Sequence, residues 1–444
     1  MGMDNKISRE FHFGSLLRFS LPTIAMMLMM SLYSMVDGIF VSQFVGTNAF
    51  SSINIIIPVT FAVLGVGIML GTGGSAVIAR KLGEKKEKEA RQDFSLLMLF
   101  GVVLSVVLAL LGLLFRDPLI RILGANDTLM ADCRVYFTIL AAGFPAYMLQ
   151  IMFQSYFVTA GRPHLGLWAT VGAGLLNAVL DYLFIVPLGM GVAGAALATV
   201  AGYCVPAVIG LNFFFRRKGN LYFVRPVRNR GTLLRSCANG SSEMVTNIAS
   251  SVISILFNLI MIRSYGADGV AAINIVLYGQ FLLTAIFLGF SGGVAPVVSY
   301  NYGAQNRVQL KRVVRICLIV ILGCSVMTLG AALLFAPGLV GIFAGRDTSV
   351  YPIALHGFYL FSLSYLFCGL NIYASSLFTA LSNWKVSALI SFLRTFGFIL
   401  PVLLALPVFA GADGVWLAVP IAEALCVALS VICLLKGRKR YGYG

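Results

Sequence analysis

FVGTNAFSSINI, residues 44–55, is echoed 220 positions later by SYGADGVAAINI, residues 264–275. The same shift pairs LLFRDPLIRILGAND (113–127) with LLFAPGLVGIFAGRD (333–347), and FVTAG (157–161) with LFTAL (377–381). A constant shift held over more than a hundred residues is the mark of an internal duplication. What is duplicated is almost wholly apolar. The 444 residues are 59% hydrophobic and 11% charged, against about a quarter charged in soluble domains. Twelve apolar runs stand out, at 15–43, 51–79, 93–115, 131–158, 163–186, 191–215, 236–262, 272–301, 312–335, 351–379, 385–407 and 414–435. Each reaches or exceeds the ~20 residues that carry a helix across a bilayer. They are continuous runs, not the short alternating segments of a membrane β-barrel.

Six runs per half is an even number, so both halves enter the membrane the same way round. The fold class expected is therefore all-α integral membrane: twelve transmembrane helices in two six-helix lobes related by a parallel internal repeat. Expected boundaries are an N-lobe at 1–215, a basic linker at 216–235 and a C-lobe at 236–444 with a basic tail. The net charge of +16 is explained by topology. With the N-terminus inside, 26 Lys and Arg fall on the inner side and 4 on the outer, Arg134 and Arg394 lying within spans. That asymmetry puts both termini in the cytoplasm and removes the need for a nucleic-acid partner. The eight cysteines show no CxxC or Cys/His spacing and read as small apolar residues. No catalytic triad, nucleotide loop or metal cluster is visible, which argues against an enzyme and against an ATP-driven pump. The repeat-related glycine clusters GTGGSA (71–76) and FSGGVAP (290–296) lack the strand of a nucleotide loop and fit close helix packing.

Four of the sixteen acids lie well inside spans: Asp37, Asp181, Glu243 and Glu423. An intramembrane carboxylate is costly, and its default reading is an ion or substrate site; the plainer one is a neutral or paired group. Asp37 stands two-thirds along the first span, with Tyr33, Ser34 and Ser42 nearby. Pro22 earlier in that span is either a hinge or a first-turn residue. Asn177 precedes Asp181 by four residues, so an amide and a carboxyl share a helical face. The two can hold a proton or a Na+ ion. Glu243 opens the seventh span, as a helix cap or a cleft residue, and Glu423 lies in the twelfth. The methionines of MMLMMSLYSM (26–35), Met26 and Met30 among them, suit either an adaptable substrate cavity or ordinary packing.

With these residues on the page, the chain resembles the multidrug and toxic compound extrusion (MATE) transporters over nearly its whole length. The resemblance rests on Pro22 and Asp37, FVG (44–46), ARKLGEKKEKEARQ (79–92), AGRP (160–163), LNAVLD (176–181), INI (273–275) and YGAQN (302–306). It implies a bacterial DinF-like transporter whose N-lobe polar site binds H+ or Na+. By position, that site comprises Asp37, Asn177, Asp181 and Thr199, with Tyr136 nearby and Gln154 where the family pattern has an asparagine. It implies a hinge at Pro22, and a substrate cleft that here would include Glu243, Glu423, Met26 and Met30. The function implied is export of organic, cationic and amphipathic compounds in exchange for H+ or Na+, by a functional monomer of the inner membrane without a cofactor. A flippase for a lipid-linked saccharide, from the same superfamily, is the alternative. Such proteins often carry more basic residues within the cleft.

Overall fold

The computed structural model describes residues 7–45, 47–217 and 219–443, without the side chains at 34, 36–43 and 47–50. The described residues contain helices and no strands. Six helices precede the linker on the scale of the bilayer or longer: α1 (Phe13–Phe44), α2 (Thr47–Gly83), α3 (Glu87–Leu114), α5 (Met130–Thr159), α6 (Pro163–Ile185) and α7 (Gly191–Phe215), with a short α4 (Arg116–Ile122) at one mouth. The second half runs through α8 (Arg230–Gly303), α9 (Arg307–Phe343), α10 (Val350–Ser362), α11 (Tyr365–Ala380), α12 (Trp384–Phe392), a π-helical turn at Leu393–Ile399, and α13 (Leu400–Tyr441).

α8 and α13 are each two spans joined at a glycine. Gly266 and Gly411 take φ of 63° and 58° inside the two helical runs, a region open to glycine because it has no Cβ. The chain reverses there. Asn274 donates to the side chain of Asn258 at 3.1 Å, although sixteen residues of unbroken helix would separate them by about 24 Å. Likewise, a Cβ on Gly414 would lie 2.6 Å from the Leu406 carbonyl. α10 and α11 meet at a 53° bend and form one broken span. Counted this way the spans are twelve, six to a half. The duplication is visible in the backbone too. Lys85 and Gln305, 220 apart, both have left-handed φ, and so do Gly191 and Gly411.

The outer surface is one that water would not tolerate. Leu114, Ile122, Met327, Leu334, Val408 and Phe409 are 72–85% exposed, as expected of lipid-facing side chains. Inside, each half closes on aromatic and aliphatic residues such as Phe94, Phe153 and Phe214, or Phe287, Tyr373 and Trp416. The linker is not a free tether. Val224 N–H donates to Ser95 Oγ at 2.9 Å, Arg91 donates to the Asn220 carbonyl at 3.0 Å, and Phe223 stacks on Phe94. α8 begins at Arg230, capped by Asn229, so the last residues of the stretch read as linker are helical.

The halves meet through α1, α2 and the two arms of α8. Near the end of the bundle where the basic residues gather, the backbones almost touch. Gly73 abuts the Ser236 carbonyl and Gly240, while Gly83 abuts Tyr300 and Gly303 abuts Arg80. The last two contacts are images of one another at the shift of 220, so the pseudo-twofold axis passes between Gly83 and Gly303. The glycine clusters are thus packing surfaces, as their sequence suggests. Cys204, read as a small buried residue, is exposed, on an outer face of α7.

Candidate cation-coupling sites

Close contacts between neighbouring helices set the relative heights of the first-lobe residues. On α6, a Cβ on Gly166 would meet Met26 Sδ at 3.2 Å, and one on Gly174 would meet the Tyr33 Cβ at 3.3 Å. α1 and α6 therefore run parallel, and position 37 comes level with position 178, between Asn177 and Asp181. The Asp37 side chain lies outside the described residues. α7 runs antiparallel to α6. Gly202 would meet Asn177 at 3.3 Å and Gly194 would meet Phe184 at 2.9 Å, so Thr199 comes level with position 180. Four positions from three helices thus share one height. Asn177 and Asp181 are 6% and 1% exposed. The Thr199 hydroxyl donates to the Ala195 carbonyl at 2.9 Å, leaving its lone pairs available as an acceptor.

The other two members of the expected set do not share that height. α5 runs parallel to α7, with Gly143 against Val200 and Gly210 against Phe153. On this register the residue level with Thr199 is Ala142. Tyr136 is six residues away, about 9 Å along the helix, and Gln154 is twelve residues away in the opposite direction, about 18 Å. Gln154 is turned to α1 instead, its amide nitrogen 3.2 Å from Met30 Sδ. On this register Gln154 stands about three helical turns from the level of Asn177, Asp181 and Thr199. Tyr147 and Tyr203 come closer in height, stacked at 4.3 Å. Sequence reasoning passed over them because an aromatic on an apolar helix carries no signal of its own.

Among the other singled-out residues, Pro22 is the tenth residue of α1, which excludes first-turn placement. Met26 is buried against Gly166, while Met30 is partly buried and meets the Gln154 amide. Glu423 is also withdrawn from the cleft. It is 1% exposed and meets the Arg394 guanidinium at 2.6 and 2.7 Å. Asn371 donates to its other oxygen at 2.7 Å, and Ser430 donates to Asn371 at 2.8 Å. Arg394 sits on the π-helical turn, where one extra residue per turn re-aims a side chain. Arg134, read as within a span, stands one turn into α5 and pairs with Asp117 at 2.6 Å at the mouth. Glu243 is thirteen residues inside α8, so it caps nothing; its carboxylate is turned into the second lobe.

The chain matches the MatE family model twice, over residues 22–183 and 243–404. It is similar to the multidrug export protein MepA of Staphylococcus aureus, with 25% identity over 96% of this chain and 94% of that protein. The MepA of Staphylococcus saprophyticus is 23% identical over the same shares. Among solved structures, it superposes on an outward-facing MATE transporter of the MOP superfamily with a TM-score of 0.91, at 21% identity over 99% of this chain and 98% of the other. A Vibrio cholerae MATE transporter, VcmN, gives 0.90 at 22% identity over 96% and 97%. At these identities the structural likeness establishes the fold.

Proposed function

The chain belongs to the MatE family of membrane transporters, and on that premise we propose a secondary antiporter that exports organic, cationic and amphipathic compounds in exchange for H+ or Na+. The observation that carries this reading is the common height of position 37, Asn177, Asp181 and Thr199 inside the first lobe. A buried carboxyl and amide with a partly buried hydroxyl at bilayer depth form an oxygen-rich site for a small cation. The name of the MepA relatives supports drugs as the cargo. The lobes are 1–215 and 236–444, joined by the strap at 216–235; Pro22 is the hinge; both termini face the cytoplasm of a bacterial inner membrane; and the unit is a monomer. Of the two acids inside the spans of the second lobe, Glu423 meets the Arg394 guanidinium and Glu243 meets the hydroxyls of Ser242 and Thr379. The flippase reading loses its support, because Arg134 and Arg394 are each matched by a carboxylate.

The test is transport by the full chain in proteoliposomes with a lipophilic cationic dye. Dye movement coupled to a pH change in Na+-free buffer establishes H+ antiport, and coupling restored only by Na+ establishes Na+ antiport. Absence of dye movement under both conditions, together with transbilayer movement of a lipid-linked saccharide, overturns the proposal in favour of the flippase.

A further inference from the structure

Two polar contacts at the basic end of the bundle join the lobes, and the repeat relates their places. In the first, the Gln309 side-chain amide donates to the Phe11 carbonyl at 3.1 Å. Gln309 is the third residue of α9, and Phe11 lies two residues before α1. In the second, the Asn229 side-chain amide donates to Asp93 at 3.4 Å. Asn229 is the residue before α8, and Asp93 is the seventh residue of α3. α3 and α9 begin 220 positions apart, at Glu87 and Arg307. Each contact therefore ties the chain entering the first helix of one half to the start of the third helix of the other half.

Both contacts are seated in structure. Gln309, Phe11 and Asp93 are 4, 3 and 2% exposed. The Phe11 ring stands edge-on to Phe19 of α1 at 5.5 Å, and Ile7 is fully buried. Beside them Arg312 of α9 lies 3.8 Å from Glu10. On the other side, Asp93 also holds Lys81 of α2 at 2.5 Å. Asn229 uses its oxygen to cap α8, accepting from the Thr232 N–H at 3.2 Å. The strap before it is already pinned to α3 through Ser95 and Arg91, so little further chain is ordered to make the contact. The chemistry of the two differs, a carbonyl accepting in one and a carboxylate in the other. What the duplication keeps is the placement.

The glycine contacts of the seam give closeness without direction, whereas hydrogen bonds are directional. Two such bonds related by the pseudo-twofold axis resist a rotation that either alone would permit. Parting the lobes at this end exchanges both bonds for water at once, so weakening either one eases the same opening. We propose that Gln309–Phe11 and Asn229–Asp93 form a pair of reciprocal clasps that hold this end of the lobes shut. Asn229 and Gln309 are then positioning residues, which set how readily the inner end opens. The role of that opening in transport rests on the antiport reading; the clasps themselves do not.

The test is hydrogen–deuterium exchange, read by mass spectrometry, on the purified full chain without cargo. Gln309→Met removes one donor at similar volume and adds no charge, so it tests the clasps even if the second variant fails to fold. Asn229→Asp removes the other donor and keeps the cap of α8, since Asp caps a helix as well as Asn does. Each variant is read across the seam from its own clasp, Gln309→Met at 79–86 and Asn229→Asp at 299–306. The expected result is exchange about two- to tenfold faster in those segments, the effect of one hydrogen bond on a shared opening, and faster still in the double variant. Acceleration confined to the mutated segment, or wild-type exchange in both far segments, overturns the proposal. If exchange rises as expected but no dye moves in proteoliposomes, the antiport reading fails and the clasps stand. If dye moves and the far segments exchange as in wild type, the clasps fail and the antiport reading stands.

Discussion

Asp181 and Glu423 are equally buried, each 1% exposed, and their surroundings differ. Glu423 faces a guanidinium, so its charge is settled within the protein. Asp181 shares its level with an amide and a hydroxyl, groups that solvate a cation without replacing it. Periodicity made the pairing of Asn177 with Asp181 legible, because residues four apart share a helical face. Arg394 was not legible as the partner of Glu423, since it lies 29 residues away on another helix and is aimed by a π turn that has no sequence signal. The height of Gln154 was not legible for the converse reason: position by analogy says nothing about height along a neighbouring helix. At the mouth, the Arg134 guanidinium beside Asp117 holds its carboxyl below the usual carboxylate range, helped by Arg116. The folded value is the lower one, so the pair's stabilisation is present above the unfolded value of about 3.9 and is lost as pH falls through the folded value. Thermal melts of wild type and Arg134→Gln should therefore coincide in strong acid and separate slightly above about pH 4, wild type being the more stable. A separation that grows on acidification would contradict this.

At the scale of elements, two contacts make distinct demands. The Arg394–Glu423 pair ties the π turn to α13, and removing one partner leaves a buried charge. Arg394→Met should destabilise the protein by about 3–5 kcal/mol, while the double variant Arg394→Met/Glu423→Gln should recover most of that loss. Denaturant or steric-trapping measurements of both variants check it, and equal losses would show that the charges are not coupled. The seam between α2 and α8 requires glycine for closeness. A side chain at Gly83 would run into the Tyr300 carbonyl. Gly83→Val should hold the lobes apart at the basic end, raising cysteine labelling of neighbouring α2 and α8 positions severalfold without unfolding the lobes. Unchanged labelling would mean that the seam is not a gate. The sequence displayed the glycine clusters, but not their partners, because helix-to-helix register is a property of the assembled lobes.

At the scale of the molecule, duplication and charge asymmetry were readable at once. Both are statistics of the whole chain and do not depend on any one contact. Transporters of the MatE family draw on an ion gradient. One positive charge moving inward through 100 mV supplies about 2.3 kcal/mol. One proton exchanged for one monovalent cation moves no net charge and relies on the chemical gradient alone. The cation must meet the lobe movement somewhere, and the proposed meeting point is Asp181. The most direct measurement is internal pH and internal Na+ in proteoliposomes during uptake of a cationic dye, comparing wild type with Asp181→Asn. The ion movement that accompanies dye in wild type should fall at least tenfold in Asp181→Asn, with the variant's melting profile and gel-filtration behaviour retained. Ion and dye fluxes equal to wild type in a folded Asp181→Asn protein would contradict it.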